Sequence, residues 1–335
     1  MAQPVVAILG TRYADFSVEE HALGPAGARL VAGDGGSPDD IVAVAGGADV
    51  VLAGSRPRFT ADVVARLGEH AGADGRLRGI VRYGIGTDSI DLDAARRHGV
   101  AVARVSDYGT EAVAVHAVSM ALAQLRRLVD ADRAVRSGQW GVAGLRPLHQ
   151  PSGLVAGVVG FGRIGRQVAH YLRAFGMRVG AHDAYVDMST ETDVDAVTLD
   201  ELLQRSDVVT LHAPGNADAS PLLGADQLSL MRPGSVLVNT ARGSLVDLDA
   251  LAAALAAGRP ARAALDVFPS EPPELSVLDS VLAGVQDRVL LTPHMAWYTE
   301  ESELDMRRKA AAEAARLLRG EPLRDPVVEI GGTVS

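Results

Sequence analysis

The stretch Val155-Ala156-Gly157-Val158-Val159-Gly160-Phe161-Gly162-Arg163-Ile164-Gly165 decides how the chain is read. A short apolar run has the pattern of a buried strand, and G-x-G-x-x-G follows it directly. A helical pattern then continues from Arg166 to Phe175. In that context Gly160 permits a tight turn, Gly162 lets the backbone approach a pyrophosphate, and Gly165 lets the helix lie close on the strand. The first helical N–H groups, with Arg163 and Ile164 in this turn, face the anion. Asp183 lies 18 residues after Gly165 at the end of the next strand pattern. An acidic side chain there accepts hydrogen bonds from ribose hydroxyls and repels a 2′-phosphate, which favours NAD over NADP.

Outward from this loop, the same alternation recurs on both sides. Ahead of it lie apolar runs at Val5 to Leu9, Asp49 to Leu52, Gly79 to Arg82 and Val100 to Val102. Around and after it lie Val155 to Val159, Met177 to Ala181, Asp207 to Leu211, Ser235 to Val238, Ala263 to Val267 and Val289 to Leu291. Helical segments separate the runs, so the fold class is α/β, with two Rossmann-like, doubly wound parallel-sheet domains. A helical stretch from Thr110 to about Ser137 links the two series, and another from about Thr299 to Leu318 is stopped by Gly320-Glu321-Pro322. The second sheet already has helices for both faces, so the last helix is expected to return to the first domain. The expected domains are 1–104 with 293–335, discontinuous and flavodoxin-like, and an inserted 105–292. Paired crossings near Val105 and Pro293 would form a hinge over a cleft.

A length of 335 residues fits two domains, and 47% hydrophobic with 22% charged residues is ordinary for globular chains. There is no cysteine, which excludes disulfides, cysteine-ligated zinc and thiolate nucleophiles. No metal site is expected. A net charge of -10 gives no general reason to bind nucleic acid or an anionic membrane. Met1-Ala2-Gln3-Pro4 lacks the basic region of a signal peptide, and the apolar run behind it ends at Gly10-Thr11-Arg12, so a cytoplasmic location is expected. The uncharged run Ala112 to Leu125 is too short to span a bilayer and reads as a buried helix. Lys309 is the only lysine and sits in a charged helical run, which argues against Schiff-base chemistry.

Further motifs give a family resemblance over essentially the whole length. They are Arg82-Tyr83-Gly84-Ile85-Gly86-Thr87-Asp88-Ser89-Ile90-Asp91, the glycine loop, Asn239-Thr240-Ala241-Arg242-Gly243, Ala264-Leu265-Asp266-Val267-Phe268 with Glu271-Pro272, and Thr292-Pro293-His294. With these the chain resembles the D-isomer-specific 2-hydroxyacid dehydrogenases. The segment from His294 to Glu300 looks most like their C-terminal-binding-protein branch, which includes NADH-binding corepressors. The resemblance implies a substrate domain built from both chain ends, a central NAD domain and a homodimer.

It also implies roles for single residues. Arg242 anchors the carboxylate and carbonyl oxygens of a small 2-keto or 2-hydroxy acid with its planar fork of donors. His294 is the general acid in reduction and base in oxidation, since an imidazole's ordinary pKa of about 6.5 permits exchange near neutrality. Glu271 holds its second nitrogen. All three are expected at the carboxyl ends of different strands, the edge where such sheets bind ligands. Tyr83, Gly84, Ile85 and Gly86 form the substrate-carboxylate loop, and Trp297 walls the substrate side chain or serves as a core residue. Cofactor contacts map onto His212, Ala213, Pro214, Thr240, Ala241, Val113 and Asp266, the last on the carboxamide or acting as a loop cap. Pro214-Gly215-Asn216 and Val115 depart from the family pattern. Formate dehydrogenases of the family carry glutamine where this chain has Glu271, which argues against formate. The activity expected is hydride transfer between NAD and C2 of a 2-hydroxy acid; the alternative is an NADH-responsive, corepressor-like binding protein.

Overall fold

The computed structural model describes residues 3–11, 13–70, 77–215 and 220–330; Met1, Ala2, Arg12 and Asn216, cited above, lie outside the described residues. The strands are β1 (Val5–Leu9), β2 (Arg29–Gly33), β3 (Val50–Ala53), β4 (Gly79–Arg82), β5 (Ala101–Ala103), β6 (Val155–Val159), β7 (Arg178–His182), β8 (Asp195–Ala196), β9 (Val208–Leu211), β10 (Val236–Asn239), β11 (Arg262–Leu265), β12 (Val289–Leu291) and β13 (Pro326–Val328). The chain divides into two compact units, Met1–Gly109 with Thr299–Ser335, and Thr110–Tyr298. Both divisions fall a few residues later than the crossings expected from sequence, because the strand-like runs stop earlier than the loops that leave their sheets.

In the first unit the sheet order is β13-β5-β4-β3-β1-β2. The five parallel strands follow the flavodoxin-like order, with β13 added antiparallel to β5 at the edge. Two of these strands were not legible in the sequence. Arg29–Gly33 is an edge strand, half exposed, that starts on arginine and ends on glycine. Pro326–Val328 starts on a proline, which a sheet tolerates at an edge. Helix Glu300–Arg319 packs on helix Ser17–Leu23 and against β3 and β4. Thr299 caps its start in a capping box with Ser302, and Gly320 closes it at φ 67°. Four alanines, Ala310, Ala311, Ala314 and Ala315, are buried on it beside Ser302, Met306, Arg307 and Glu313, and these small side chains let the helix axis sit close to the sheet.

The second unit has the order β12-β11-β10-β9-β6-β7-β8, the dinucleotide-binding arrangement with its reversal between β9 and β6. Helix Thr110–Leu125 is apolar nearly all round and packs on helix Arg163–Ala174. The single helix expected from Thr110 to Ser137 is broken. Arg127 takes the left-handed conformation at φ 51°, and a second, amphipathic helix runs from Leu128 to Arg136. The break follows from solvent contact: Arg126-Arg127 ends the buried run, and Arg127 turns its guanidinium onto Asp130 and the Gly144 carbonyl. No single described helix is long and apolar enough to cross a membrane.

Both central strands are fastened in the same way. Asp49, just before β3, accepts the Val5 N–H on Oδ2 at 2.8 Å, and its own N–H bonds the Val5 carbonyl at 2.8 Å. Asp207, just before β9, does the same to Val155, at 2.9 Å through Oδ2 and 2.8 Å through the backbone. The sequence had placed both aspartates inside the strands. They instead stand at the strand entrance, where each satisfies the first N–H of its central strand. Replacing Asp49 or Asp207 by Ala leaves that N–H without its acceptor and is expected to lower unfolding free energy by about 1–3 kcal/mol. Urea unfolding followed by circular dichroism measures this.

Candidate active site

The second sheet's hydrogen-bond ladder continues past its last strand residues. Asp266 N–H bonds Asn239 O at 2.9 Å, Thr292 N–H bonds Leu265 O at 3.0 Å and His294 N–H bonds Asp266 O at 2.8 Å. The loops leaving β10, β11 and β12 are therefore held side by side at the carboxyl edge of the sheet. They bring together the three residues predicted from sequence.

Arg242 lies on the first loop. The buried Asn239 side chain holds that loop, donating to Arg242 O at 2.8 Å and accepting the Ala241 N–H at 3.0 Å. Gly243 follows, and a Cβ there would stand 1.9 Å from the Phe268 carbonyl carbon, so only glycine lets the first loop lie flush on the second. On the second loop Glu271 Oε1 accepts the Phe268 N–H at 3.0 Å. Its Oε2 meets His294 Nδ1 on the third loop at 2.5 Å. Burial alone would raise the Glu271 carboxyl, but the hydrogen bonds from His294 and Phe268 and the charges of His294 and Arg242 outweigh it. Glu271 is held below the ordinary carboxylate value and is ionised at neutral pH.

His294 itself has a left-handed backbone at φ 52°, uncommon for a residue with a side chain. Asp266 stabilises this turn. Fully buried, it accepts the Thr292 hydroxyl at 2.5 Å and the Met295 N–H at 3.0 Å on Oδ1, and the Ala296 N–H at 2.9 Å on Oδ2. Both oxygens thus hold the histidine loop, the loop-cap alternative weighed for this residue. His116, on helix Thr110–Leu125, joins the network through Thr292 Oγ1 at 3.1 Å. Trp297, proposed as a wall, donates its indole N–H to His294 O at 3.1 Å. With Nδ1 on Glu271, the imidazole has Nε2 to exchange a proton with a ligand, and the guanidinium offers charge to an anion.

The glycine loop has the form its sequence demands. Gly160 turns at φ 89°, and a Cβ on it would come within 2.5 Å of Ala213 N and His212 C, where the loops after β6 and β9 meet at the reversal of strand order. Gly162 has no atom within 4 Å of a Cβ position, and a Cβ on Gly165 would stand 2.0 Å from Gly160 O. Asp183 accepts the N–H groups of Phe161 at 2.6 Å, Tyr185 at 2.7 Å and Val186 at 3.0 Å. Burial works to raise its carboxyl, and these bonds outweigh it and lower it. Asp183 therefore shapes the loop, and a carboxylate's four acceptor directions leave room for a hydroxyl donor.

Arg163 is exposed and Ile164 half-buried in the first turn of helix Arg163–Ala174, and Val113 is buried in the first turn of helix Thr110–Leu125. Pro214 is exposed, and Ala213 and Ala241 pack against the core. Two polar atoms at this edge are buried without a hydrogen-bond partner among the described residues, His212 Nδ1 and Thr240 Oγ1. An open Gly162, a pre-turned Gly160 and orphaned polar atoms on two strand ends fit an elongated polar cofactor such as NAD.

In the first unit Gly84, Ile85 and Gly86 follow β4 as a loop. Tyr83 does not extend from it: the side chain is 4% exposed and donates its hydroxyl to Glu19 at 3.0 Å. The phenol of this loop residue is thus turned to a partner inside the unit. Sequence reasoning missed Asn239, His116, Thr292 and Glu19. Only Asn239 carried a local signal, an amide at a strand end ahead of a turn.

Comparison with known proteins agrees with this geometry. Residues 118–296 match the D-isomer specific 2-hydroxyacid dehydrogenase, NAD binding domain. The chain is 37% identical over 252 residues to glyoxylate reductase of Korarchaeum cryptofilum, covering 73% of this chain and 74% of that protein. It is 35% identical over 305 residues to D-3-phosphoglycerate dehydrogenase of Mycobacterium tuberculosis, covering 90% of this chain and 55% of the other. The chain spans about half the length of the curated phosphoglycerate dehydrogenases it matches. Among solved structures, D-lactate dehydrogenase of Aquifex aeolicus complexed with NAD and lactic acid superimposes with a TM-score of 0.84 at 26% identity, covering 97% of this chain and 99% of that one. The chain belongs to the D-isomer specific 2-hydroxyacid dehydrogenase family and contains its NAD-binding domain. These relatives are dehydrogenases and reductases, and they do not single out the corepressor branch expected from His294 to Glu300.

His212 gives this edge a pH signature. Burial pushes its imidazole down to about 3, so it is neutral in the folded chain. The unfolded chain binds a proton near pH 6.5 that the folded chain refuses, so stability falls as pH drops from about 6.5 toward 3, by up to about 1.4 kcal/mol per pH unit. Urea unfolding at pH 7.5 and 5.5 is expected to show this slope, and His212→Gln to flatten it.

Proposed function

We propose that the chain is an NAD-dependent oxidoreductase that acts between C2 of a small D-2-hydroxy acid and the matching 2-keto acid. The observation that supports this most is the Glu271–His294 hydrogen bond, formed between neighbouring strand ends within the field of Arg242. Bound NADH would supply the hydride, held by the glycine loop, Asp183, and the polar edge at His212 and Thr240. Arg242 pairs with the substrate carboxylate and carbonyl oxygen and stabilises the developing alkoxide. His294 donates a proton from Nε2 to that oxygen in reduction and removes it in oxidation. Glu271, already ionised, keeps Nδ1 protonated and stabilises the imidazolium. The Gly84-Ile85-Gly86 amides bind the carboxylate.

The named relatives support glyoxylate, 3-phosphohydroxypyruvate and related keto acids as first candidates, and Glu271 argues against formate. A homodimer in the cytoplasm belongs to the same reading. It is supported by the family resemblance and by an exposed apolar surface at Leu128, Val135, Val142 and Trp140, the last 92% exposed.

NADH oxidation followed by absorbance over a panel of keto acids tests the proposal. His294→Ala is expected to lose about 10²- to 10⁴-fold in kcat. Arg242→Ala should raise KM and lower kcat, and both variants should still bind NADH. NADH binding without turnover of any acid would shift the reading to the binding-protein alternative, and full activity of His294→Ala would remove His294 from the chemistry.

A further inference from the structure

A buried polar cluster in the first unit is not used by the chemistry above. Glu19, on helix Ser17–Leu23, is 0% exposed, and Arg307, on helix Glu300–Arg319, is 9% exposed. Arg307 grips the carboxylate with two bonds, Nε to Oε1 at 3.0 Å and Nη2 to Oε2 at 2.7 Å, and reaches the Asp15 carbonyl at 2.7 Å. The guanidinium also lies over the Tyr13 ring, 4.3 Å from its centroid. Tyr13 in turn meets the Tyr83 ring edge-on at 5.5 Å, and Tyr83 donates its hydroxyl to Glu19 Oε1 at 3.0 Å.

Tyr83 is the residue between β4 and the glycine loop, so this cluster ends where the loop begins. Its backbone is pinned as well: Tyr83 N–H bonds Ala53 O at 2.9 Å, Arg82 Nη1 donates to Tyr83 O, and Gly84 O accepts the Val105 N–H at 3.1 Å. Gly84 then turns at φ 126°, a conformation that only glycine adopts without strain, and Ile85 and Gly86 become partly exposed. A loop of two glycines has the largest backbone freedom to lose, so its geometry depends on the anchor at its entrance. The anchor here is an aromatic ring held by an ion pair inside the unit.

We propose that Glu19 and Arg307 are positioning residues, which fix the Gly84-Ile85-Gly86 amides through the phenol of Tyr83 and so set the affinity for the substrate carboxylate. The inference rests on the reading of this loop as the carboxylate-binding segment. The carboxylate has the same charge in the ground state and the transition state, so loosening its seat weakens both alike and appears in KM.

Tyr83→Phe keeps the ring and deletes the hydroxyl. It is expected to raise KM for the keto acid about 3- to 10-fold, to leave kcat within about 2-fold, and to leave the NADH dissociation constant unchanged. Glyoxylate and hydroxypyruvate serve as probes. Hydrogen exchange read on the Gly84–Gly86 amides should speed up in the same variant. Glu19→Gln should raise KM similarly, and the double variant should be no worse than the more affected single one, because both cut one link. Since Glu19→Gln strands a buried guanidinium and can unfold the chain, Tyr83→Phe decides on its own. An unchanged KM in Tyr83→Phe, whatever its melting temperature, overturns the inference and leaves the proposed function standing. A wild-type chain that turns over neither probe nor any other keto acid overturns the function itself, and this inference with it, before any variant is made.

Discussion

The candidate site depends on three neighbouring strands that end in register, with their loops kept parallel by backbone hydrogen bonds beyond the strands themselves. That constraint lets Glu271 and His294, separated along the chain by helix Leu275–Val281 and β12, meet at 2.5 Å. Neither group would hold this geometry alone. The carboxylate is fixed by the Phe268 N–H, and the histidine by a left-handed turn whose N–H groups converge on Asp266. A fully buried aspartate surrounded by donors is a rigid support, because each donor it loses would leave a charge without compensation.

How far the sequence could be read follows from the range of the interactions involved. The glycine loop was legible because turn, cofactor approach and helix packing each need glycine at a fixed offset, and all lie within six residues. Arg242, Glu271 and His294 were legible because motifs surround them and each follows an apolar run. The edge strands Arg29–Gly33 and Pro326–Val328 were not, since edges bury only part of their side chains and their apolar runs, Leu30 to Ala32 and Val327-Val328, are short. The break at Arg127 was hidden because helical propensity continues through it, and only burial of the preceding turns with exposure of the next decides it. The roles of Asp266 and Tyr83 were assigned from motif position, whereas their partners, Thr292 and Glu19, lie 26 and 64 residues away. No local pattern encodes such a contact.

The two units share a construction that is not evident from their sequences. In each, an aspartate at the entrance to a strand bonds both the N–H and, through the backbone, the carbonyl of the first residue in the neighbouring central strand. A parallel sheet leaves strand entrances without a full ladder, so a short acidic side chain is a compact way to satisfy the first donor. In the first unit the burial of charge goes further, with an arginine from the last helix closing on a glutamate from the first. Such a pair ties the two ends of the sequence to one packing arrangement.

The contact of Gly243 with Phe268 bears on how this scaffold could be re-engineered. The backbone of one loop touches the backbone of the next with no space for a methyl group. Grafting a foreign segment between Phe268 and Pro273 to accept another acid would therefore need to transplant the Asn239–Gly243 turn with it. The two loops form one exchangeable cassette, and chimaeras cut between them should misplace the guanidinium even when every functional side chain is retained.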